Sequence, residues 1–191
     1  MKILYIHGYG GKANGSTSGF IKKTFPNDEV FAPTYSYWAP NLATKQINDY
    51  INQYNPDVVI GTSLGGFYVL QINCGLPRIV INPATPEDIK KIDPNTAFVN
   101  ILQKQFECMP DKTLSTVSIF FGIKDGVATH RDEWIKRFMG KFGFSIRYVN
   151  MSHEVSEEFI SHDLKDLLED LKFWINTCGI EKYDIDNRTH S

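Results

Sequence analysis

The sequence predicts an α/β fold in which a mainly parallel sheet of about six strands is covered by helices on both faces. Three observations predict it. Short runs rich in Val, Ile, Phe and Tyr each end in a loop signal, and segments of helical period separate most of them. The chain has 191 residues, 42% of them hydrophobic and 13% aromatic, which is enough to bury one sizeable core. Strands that alternate with helices imply parallel pairing, because a parallel neighbour is reached only through a long crossover, usually a helix.

In chain order, the apolar runs are "KILYIHG" (2–8), "EVFAPTY" (29–35), "DVVIGTS" (57–63), "RIVINPA" (78–84), "TVSIFFG" (116–122) and "SIRYVNM" (145–151). Helical period is expected in "NLATKQINDYINQYN" (41–55) and "LGGFYVLQINCG" (64–75). It is expected again in "SHDLKDLLEDLKFWINT" (161–177), where Leu164, Leu167, Leu168, Leu171 and Trp174 recur at helical steps. Residues 85–113 form a polar, helix-prone insertion between the fourth and fifth runs, a candidate small lid on an otherwise single domain spanning 1–191. There is no internal repeat and no low-complexity tract.

Charge and cysteine use narrow the partners. A formal charge of −2 with no cluster of basic residues among stacking aromatics argues against nucleic acid, and no run of about 18 apolar residues argues for a membrane span. "MKILYIHG" lacks the apolar core and cleavage site of a signal peptide, so a cytoplasmic location is expected. Cys74, Cys108 and Cys178 are odd in number and show no ligand spacing, so reduced thiols and no metal site are expected.

One motif carries chemistry. "GTSLGG" places Ser63 between Gly61 and Gly65 where a β-branched run turns into a helical pattern, the strand-turn-helix context of a nucleophile elbow. The sharp turn strains the serine backbone and leaves no room for side chains two positions to either side. The bland reading is a tight connection that needs small residues. A serine hydroxyl needs a base, and the base an orienting acid. In an α/β sheet with this elbow they follow the serine in the order Asp, His. Asp125, in "GIKDGV" after the fifth strand, is the candidate acid; its bland reading is an Asp-Gly turn.

His153, in "MSHEVSEEF" after the sixth strand, is the candidate base. Its rival His162 falls in "SHDL", which reads as the start of the last helix with Ser161 as its cap. His130 lies too near Asp125 to follow a separate strand, and His190 is in a polar tail. The backbone N–H groups of Tyr9, in the loop after "YIHG", and of Leu64, just after the serine, are the candidate oxyanion hole. His7 reads as structural. Tyr35, Tyr37 and Trp38 lie past the carboxyl end of the second strand and are candidate substrate contacts, with ordinary loop packing as the alternative.

Gly8, Gly10 and Ala13 also fit a dinucleotide fingerprint. It fails because "KANGSTSG" carries two glycines where a helix is required and "APTY" offers no acid for a ribose. No cofactor is therefore expected.

Taken together, "IHGYG", "GTSLGG" followed by "FY", "INPA", "GIKDGV" and "MSHEVSEEF" resemble, in this order and spacing, a compact α/β-hydrolase, most closely the small YqiA-type esterase family. The resemblance spans nearly the whole chain. Departures are Ser152 where that family has asparagine and Tyr9 where its loop has phenylalanine, both bearing on substrate fit. It implies cofactor-free hydrolysis of a small carboxylester or thioester and a sheet of strand order 2-1-3-4-5-6. A non-enzymatic ligand-binding protein on the same scaffold is the alternative, since fold alone does not fix function.

Overall fold

A computed structural model describes residues 1–72, 74–109 and 115–178. The strands are β1 (Lys2–Ile6), β2 (Glu29–Phe31), β3 (Val58–Thr62), β4 (Arg78–Ile81), β5 (Val117–Gly122) and β6 (Phe144–Val149). They form one six-stranded sheet of order β2-β1-β3-β4-β5-β6, every pair parallel. The implied strand order is therefore the observed one. Strand β2 is shorter than its apolar run because Pro33 has no N–H to give to the ladder.

The two faces of the sheet are sorted by the period-2 alternation of the strands. Leu4, Ile6, Val59, Val80, Ile119 and Phe121 join one buried cluster. Ile3, Tyr5, Ile60, Ile79, Ile81 and Phe120 join the other. The first face is covered by α2 (Pro40–Tyr54), α3 (Leu64–Gln71), α5 (Thr96–Glu107) and α6 (Arg131–Phe138) through Ile47, Phe67, Leu102 and Trp134. The second is covered by α1 (Ser16–Thr24) and the C-terminal helical segment through Ile21, Phe159, Leu164 and Leu168. Helix α2 opens on Pro40, whose fixed φ suits a first turn that needs no N–H there, and ends on Asn55 in the left-handed region at φ 46°.

Two expectations need correction. The glycine-bearing stretch after β1 does contain a helix: α1 begins at Ser16, with the Ser18 hydroxyl donating to the carbonyls of Ala13 and Gly15 at 2.9 Å and Ile21 fully buried. Tertiary burial outweighs the poor propensity of Gly19, which faces solvent. The C-terminal helix starts earlier than "SHDL" suggested. Ser156, not Ser161, caps it by accepting from Phe159 N–H at 3.2 Å. The segment runs through α7 (Glu157–Phe159) and a π-helical turn (Ile160–Leu164) into α8 (Lys165–Cys178).

The insertion folds as α4 (Pro86–Ile92) and α5, and its last positions and His190 lie outside the described residues. Thr85 caps α4 in a capping box with Asp88, and Ile89, Phe98, Val99 and Leu102 are core residues. The segment thus packs onto the sheet along its apolar faces. Its exposed turn carries Asp93, which accepts a hydrogen bond from the Tyr9 hydroxyl at 3.1 Å.

Candidate active site

All the candidate catalytic side chains stand at the carboxyl ends of strands, where loops of an α/β sheet converge. Ser63 sits between β3 and α3 with φ 52° and ψ −123°, a conformation that costs energy in any residue but glycine. Close packing holds it there. Ser63 N–H donates to the Ile81 carbonyl at 3.0 Å, and the Ser63 carbonyl accepts from Ala84 N–H at 3.2 Å. Gly65 is required by β1 as much as by the elbow, since a Cβ there would lie 2.3 Å from the His7 carbonyl oxygen and 2.4 Å from that of Ile6. Gly8 presses on the serine itself: its Cβ would stand 2.8 Å from Ser63 Cβ.

The structure brings together Ser63, His153 and Asp125, which lie far apart in sequence. His153 Nε2 is 3.1 Å from Ser63 Oγ, and His153 Nδ1 is 2.9 Å from Asp125 Oδ2. Burial alone would raise the Asp125 carboxyl, but hydrogen bonds from His153 and from the N–H groups of Val127 and Ala128 outweigh it and hold the group below its ordinary value. Asp125 is therefore an acceptor at neutral pH. This fixes His153 as the Nδ1–H tautomer and leaves Nε2 free to accept the serine proton. Asp125 is also the turn residue of its bland reading, because Oδ1 accepts from Val127 and Ala128 at 2.8 and 3.0 Å while Oδ2 faces the histidine. His162 is not part of this array; its ring nitrogen donates to the Glu158 carbonyl at 2.9 Å on an exposed turn.

Of the candidate oxyanion donors, Leu64 follows the serine directly and Tyr9 follows Gly8, which packs on Ser63. Leu64 is the first residue of α3, so its N–H is one that the helix leaves unbonded. Tyr9 is the second residue of a turn closed by Gly11 N–H to the Gly8 carbonyl at 3.1 Å. His7, which precedes this turn, is buried. Burial lowers its pKa, its Nδ1 donates to the Gly8 carbonyl at 2.9 Å, and its own carbonyl accepts from the Tyr35 hydroxyl at 2.7 Å.

A cleft of about 710 Å³ opens beside Ser63 and His153. It runs between the Tyr9 loop and α1 on one side and the His153 loop on the other, with Ser16, Thr17, Phe20, Thr62, Ser152 and Val155 among its walls. The expected aromatic contacts do not line it. Tyr35 is 2% exposed and packs against His7 and Tyr68, and burial pushes its hydroxyl well above the ordinary value. Its hydroxyl braces the start of the Tyr9 loop through the His7 carbonyl. Tyr37 stands edge-on to Tyr9 at 5.3 Å and to Trp38 at 5.0 Å, and Trp38 is 60% exposed. These two form a ledge behind Tyr9.

Two supports were not singled out in the sequence. Buried Asn82 links β4 to β5 and to the histidine loop. Buried Asp88 accepts from His130 Nδ1 at 2.7 Å and Thr129 N–H at 2.9 Å through Oδ1, and from Thr85 N–H and Oγ1 at 3.0 and 2.9 Å through Oδ2. This pins the end of the Asp125 loop to α4. A polar residue just past the end of an apolar strand, as in "INPA", is the sequence signal that would have found Asn82.

Burial tends to raise the Asp88 carboxyl too, but its bonds from Thr85, His130 and Thr129 bring it below the ordinary value. For both Asp88 and Asp125 the unfolded chain therefore takes up protons first as pH falls. Their contribution to stability is complete above the ordinary carboxylate value of about 4 and is lost as pH drops through the native values. Urea unfolding followed from pH 7 to pH 3 should show this decline. Asp88→Asn should lower stability at pH 7 and flatten the decline; an undiminished slope would place the titration elsewhere.

Comparison with solved structures shows the fold. The chain resembles Est1E from Butyrivibrio proteoclasticus with ferulic acid bound, at 14% identity and a TM-score of 0.69 over 90% of this chain and 89% of that one. It resembles a putative hydrolase from Agrobacterium vitis S4 at 12% identity and a TM-score of 0.68, covering 89% and 87%. A monoacylglycerol lipase from Paleococcus ferrophilus matches at 14% identity and a TM-score of 0.61, covering 89% and 93%. The fold is that of the α/β-hydrolases. Among curated proteins, a UPF0227 protein of Vibrio atlanticus (strain LGP32) is 27% identical over 113 residues, which cover 53% of this chain and 63% of the relative, less than two thirds of its length. The model of the uncharacterised protein family UPF0227 matches residues 2–117, more than half of the chain, and the chain accordingly belongs to that family, the YqiA-type group its motifs resemble.

Proposed function

We propose that the protein is a serine hydrolase that cleaves a small carboxylester or thioester through an acyl-enzyme. The observation that carries this reading is the continuous chain of hydrogen-bonding contacts from Ser63 Oγ through His153 to Asp125 Oδ2, at 3.1 and 2.9 Å. The solved hydrolases, esterase and lipase that share the fold support it.

In this mechanism Ser63 Oγ attacks the carbonyl carbon while His153 Nε2 takes the hydroxyl proton. Asp125 keeps the imidazole in its Nδ1–H form and stabilises the imidazolium. The N–H groups of Leu64 and Tyr9 hold the negative oxygen, aided by the positive end of α3. His153 then protonates the leaving alcohol or thiol, and water, deprotonated by the same nitrogen, releases the acid.

The cleft sets the substrate class. Its walls mix hydroxyls and backbone with the charged Lys12, Glu154 and Glu157 and the rings of Tyr5, Tyr9 and Phe20, whereas a long acyl chain is held by a largely apolar pocket. Short, polar acyl groups fit it. The lid role belongs to the Asp93 turn, which meets Tyr9, because the rest of α4 and α5 is anchored in the core.

The test is a fluorophosphonate probe with p-nitrophenyl esters and thioesters of graded chain length. The probe should modify Ser63 and no other serine. Acetyl and short hydroxyacyl esters should exceed the octanoyl ester in kcat/KM by a factor on the order of ten or more. Absence of labelling with no turnover would favour a binding protein; a preference for octanoyl esters would refute the polar-cleft reading alone.

A further inference from the structure

We propose that Asn82 is a positioning residue that sets the placement of His153 for proton transfer, tying the three loops of the triad to the end of β4; this rests on the hydrolase reading above. Asn82 is 1% exposed and lies one residue past β4, between the elbow and the two loops that carry the acid and the base. Every polar group of its side chain is committed. Oδ1 accepts from Gly122 N–H at 2.7 Å, at the end of β5, and Nδ2 donates to the carbonyls of Ser152 at 2.8 Å and His153 at 3.3 Å.

The backbone on either side of Asn82 completes the tie. Asn82 N–H donates to the Phe120 carbonyl at 2.8 Å, and the Ile81 carbonyl accepts from Ser63 N–H at 3.0 Å. Asp125 N–H in turn donates to the Gly122 carbonyl at 3.1 Å. One side chain thus fixes the backbone of the base and the strand end from which the acid loop departs, while its neighbour holds the nucleophile.

Two features single out asparagine for this role. Its φ of 47° lies in the left-handed region, which asparagine enters more readily than most residues. Its amide also offers an acceptor and a donor in one plane, whereas aspartate supplies only acceptors once ionised and glycine supplies neither. The His153 loop follows the edge strand β6, so no strand lies beyond it to hold it. Lys124 N–H on the Met151 carbonyl at 3.1 Å and the buried Met151 side chain hold its start, and the bonds from Asn82 tie the backbone of Ser152 and His153 to the end of β4, nearer the centre of the sheet. A displacement of about 1 Å in a reacting group can cost on the order of a hundredfold in rate.

The experiment uses Asn82→Gly and Asn82→Asp in the full chain. Glycine keeps the left-handed backbone without strain and removes all three side-chain bonds; aspartate keeps the acceptor for Gly122 and removes the donor. Ile47→Ala, a fully buried change on α2 in the cluster that holds neither Met151 nor Val155 of the histidine loop, serves as a variant of comparable or greater instability. Both Asn82 variants should lose on the order of a hundredfold in kcat on p-nitrophenyl acetate, with KM within a few-fold of wild type. Ile47→Ala should retain its kcat.

A second readout does not depend on turnover. The downfield proton resonance of His153 Nδ1–H, identified by its loss in His153→Ala, should be present in wild type and broadened or absent in both Asn82 variants. Wild-type kcat and an unchanged resonance in folded Asn82→Gly would overturn the positioning role while leaving the hydrolase reading intact. An inactive wild type with a resonance that still depends on Asn82 would do the reverse.

Discussion

Replacing Ser63 or His153 by alanine is expected to lower kcat on the smallest ester turned over by a factor on the order of 10⁶, because nucleophile and base act as one unit and either loss removes the covalent route. The two variants should be equally inactive, and the double variant no worse than either. Neither change should unfold the protein. Ser63 gains no stability from its strained backbone, and the His153 side chain is about a quarter exposed at the mouth of the cleft. His162→Ala is the informative contrast. That ring bonds only within its own turn, so its loss should leave kcat within a few-fold and at most loosen the π-helical segment. Thermal unfolding and ester hydrolysis measured on the same samples separate these effects. Full activity in His153→Ala with loss in His162→Ala would move the base to the other histidine.

The sheet was legible in the sequence because each strand end coincides with a change of period or a small residue, and because β-branched runs have few other uses at such lengths. The order of strands was not read from periodicity at all; it came with the family resemblance. Helix α1 was missed because local propensity argues against "STSGF", and only burial of Ile21 beneath the sheet reverses that judgement. The displaced cap of the last helix has a similar origin. Both Ser156 and Ser161 are plausible caps by type, but Phe159, Ile160 and Leu164 are all buried, which draws the helix back to Ser156.

The same division holds at the site. Few arrangements other than a proposed triad place a serine at such an elbow with Asp and His following in that order, so type and order sufficed to propose Ser63, His153 and Asp125, and the structure brings the three side chains into contact. Tyr35 illustrates the opposite case. A tyrosine at the carboxyl end of a strand is as suited to bracing a loop as to lining a pocket, and only the hydrogen bond of its hydroxyl to the His7 carbonyl decides between them. Asp88 leaves no such trace in the sequence, and Asn82 only that of a polar residue just past an apolar strand, for another reason. Asn82 works through backbone groups of distant loops and Asp88 partly so, and backbone partners leave no mark on residue type.

Asp125→Asn should lower kcat by a factor on the order of 10⁴ while leaving the fold intact. In the wild type the carboxylate is held ionised by His153 and two backbone N–H groups, so it accepts from Nδ1–H and leaves Nε2 free to accept a proton, as the proposed base must. An asparagine can keep its side-chain oxygen on Val127 and Ala128, which preserves the turn, but it then turns an NH₂ toward His153. That donor selects the tautomer with the proton on Nε2, which cannot accept from Ser63, and a neutral amide cannot stabilise the imidazolium. The loss should appear in kcat rather than KM, because Asp125 is 5% exposed and does not line the cleft. Combining the change with Ser63→Ala should cost little beyond Ser63→Ala alone. Asp93→Asn and Asp132→Asn, on an exposed turn and at the start of α6, should retain most activity. A folded Asp125→Asn protein within about tenfold of wild type would be too active for a lost orienting carboxylate. The acid would then be sought at Asp88, the other buried carboxylate paired with a histidine at this end of the sheet.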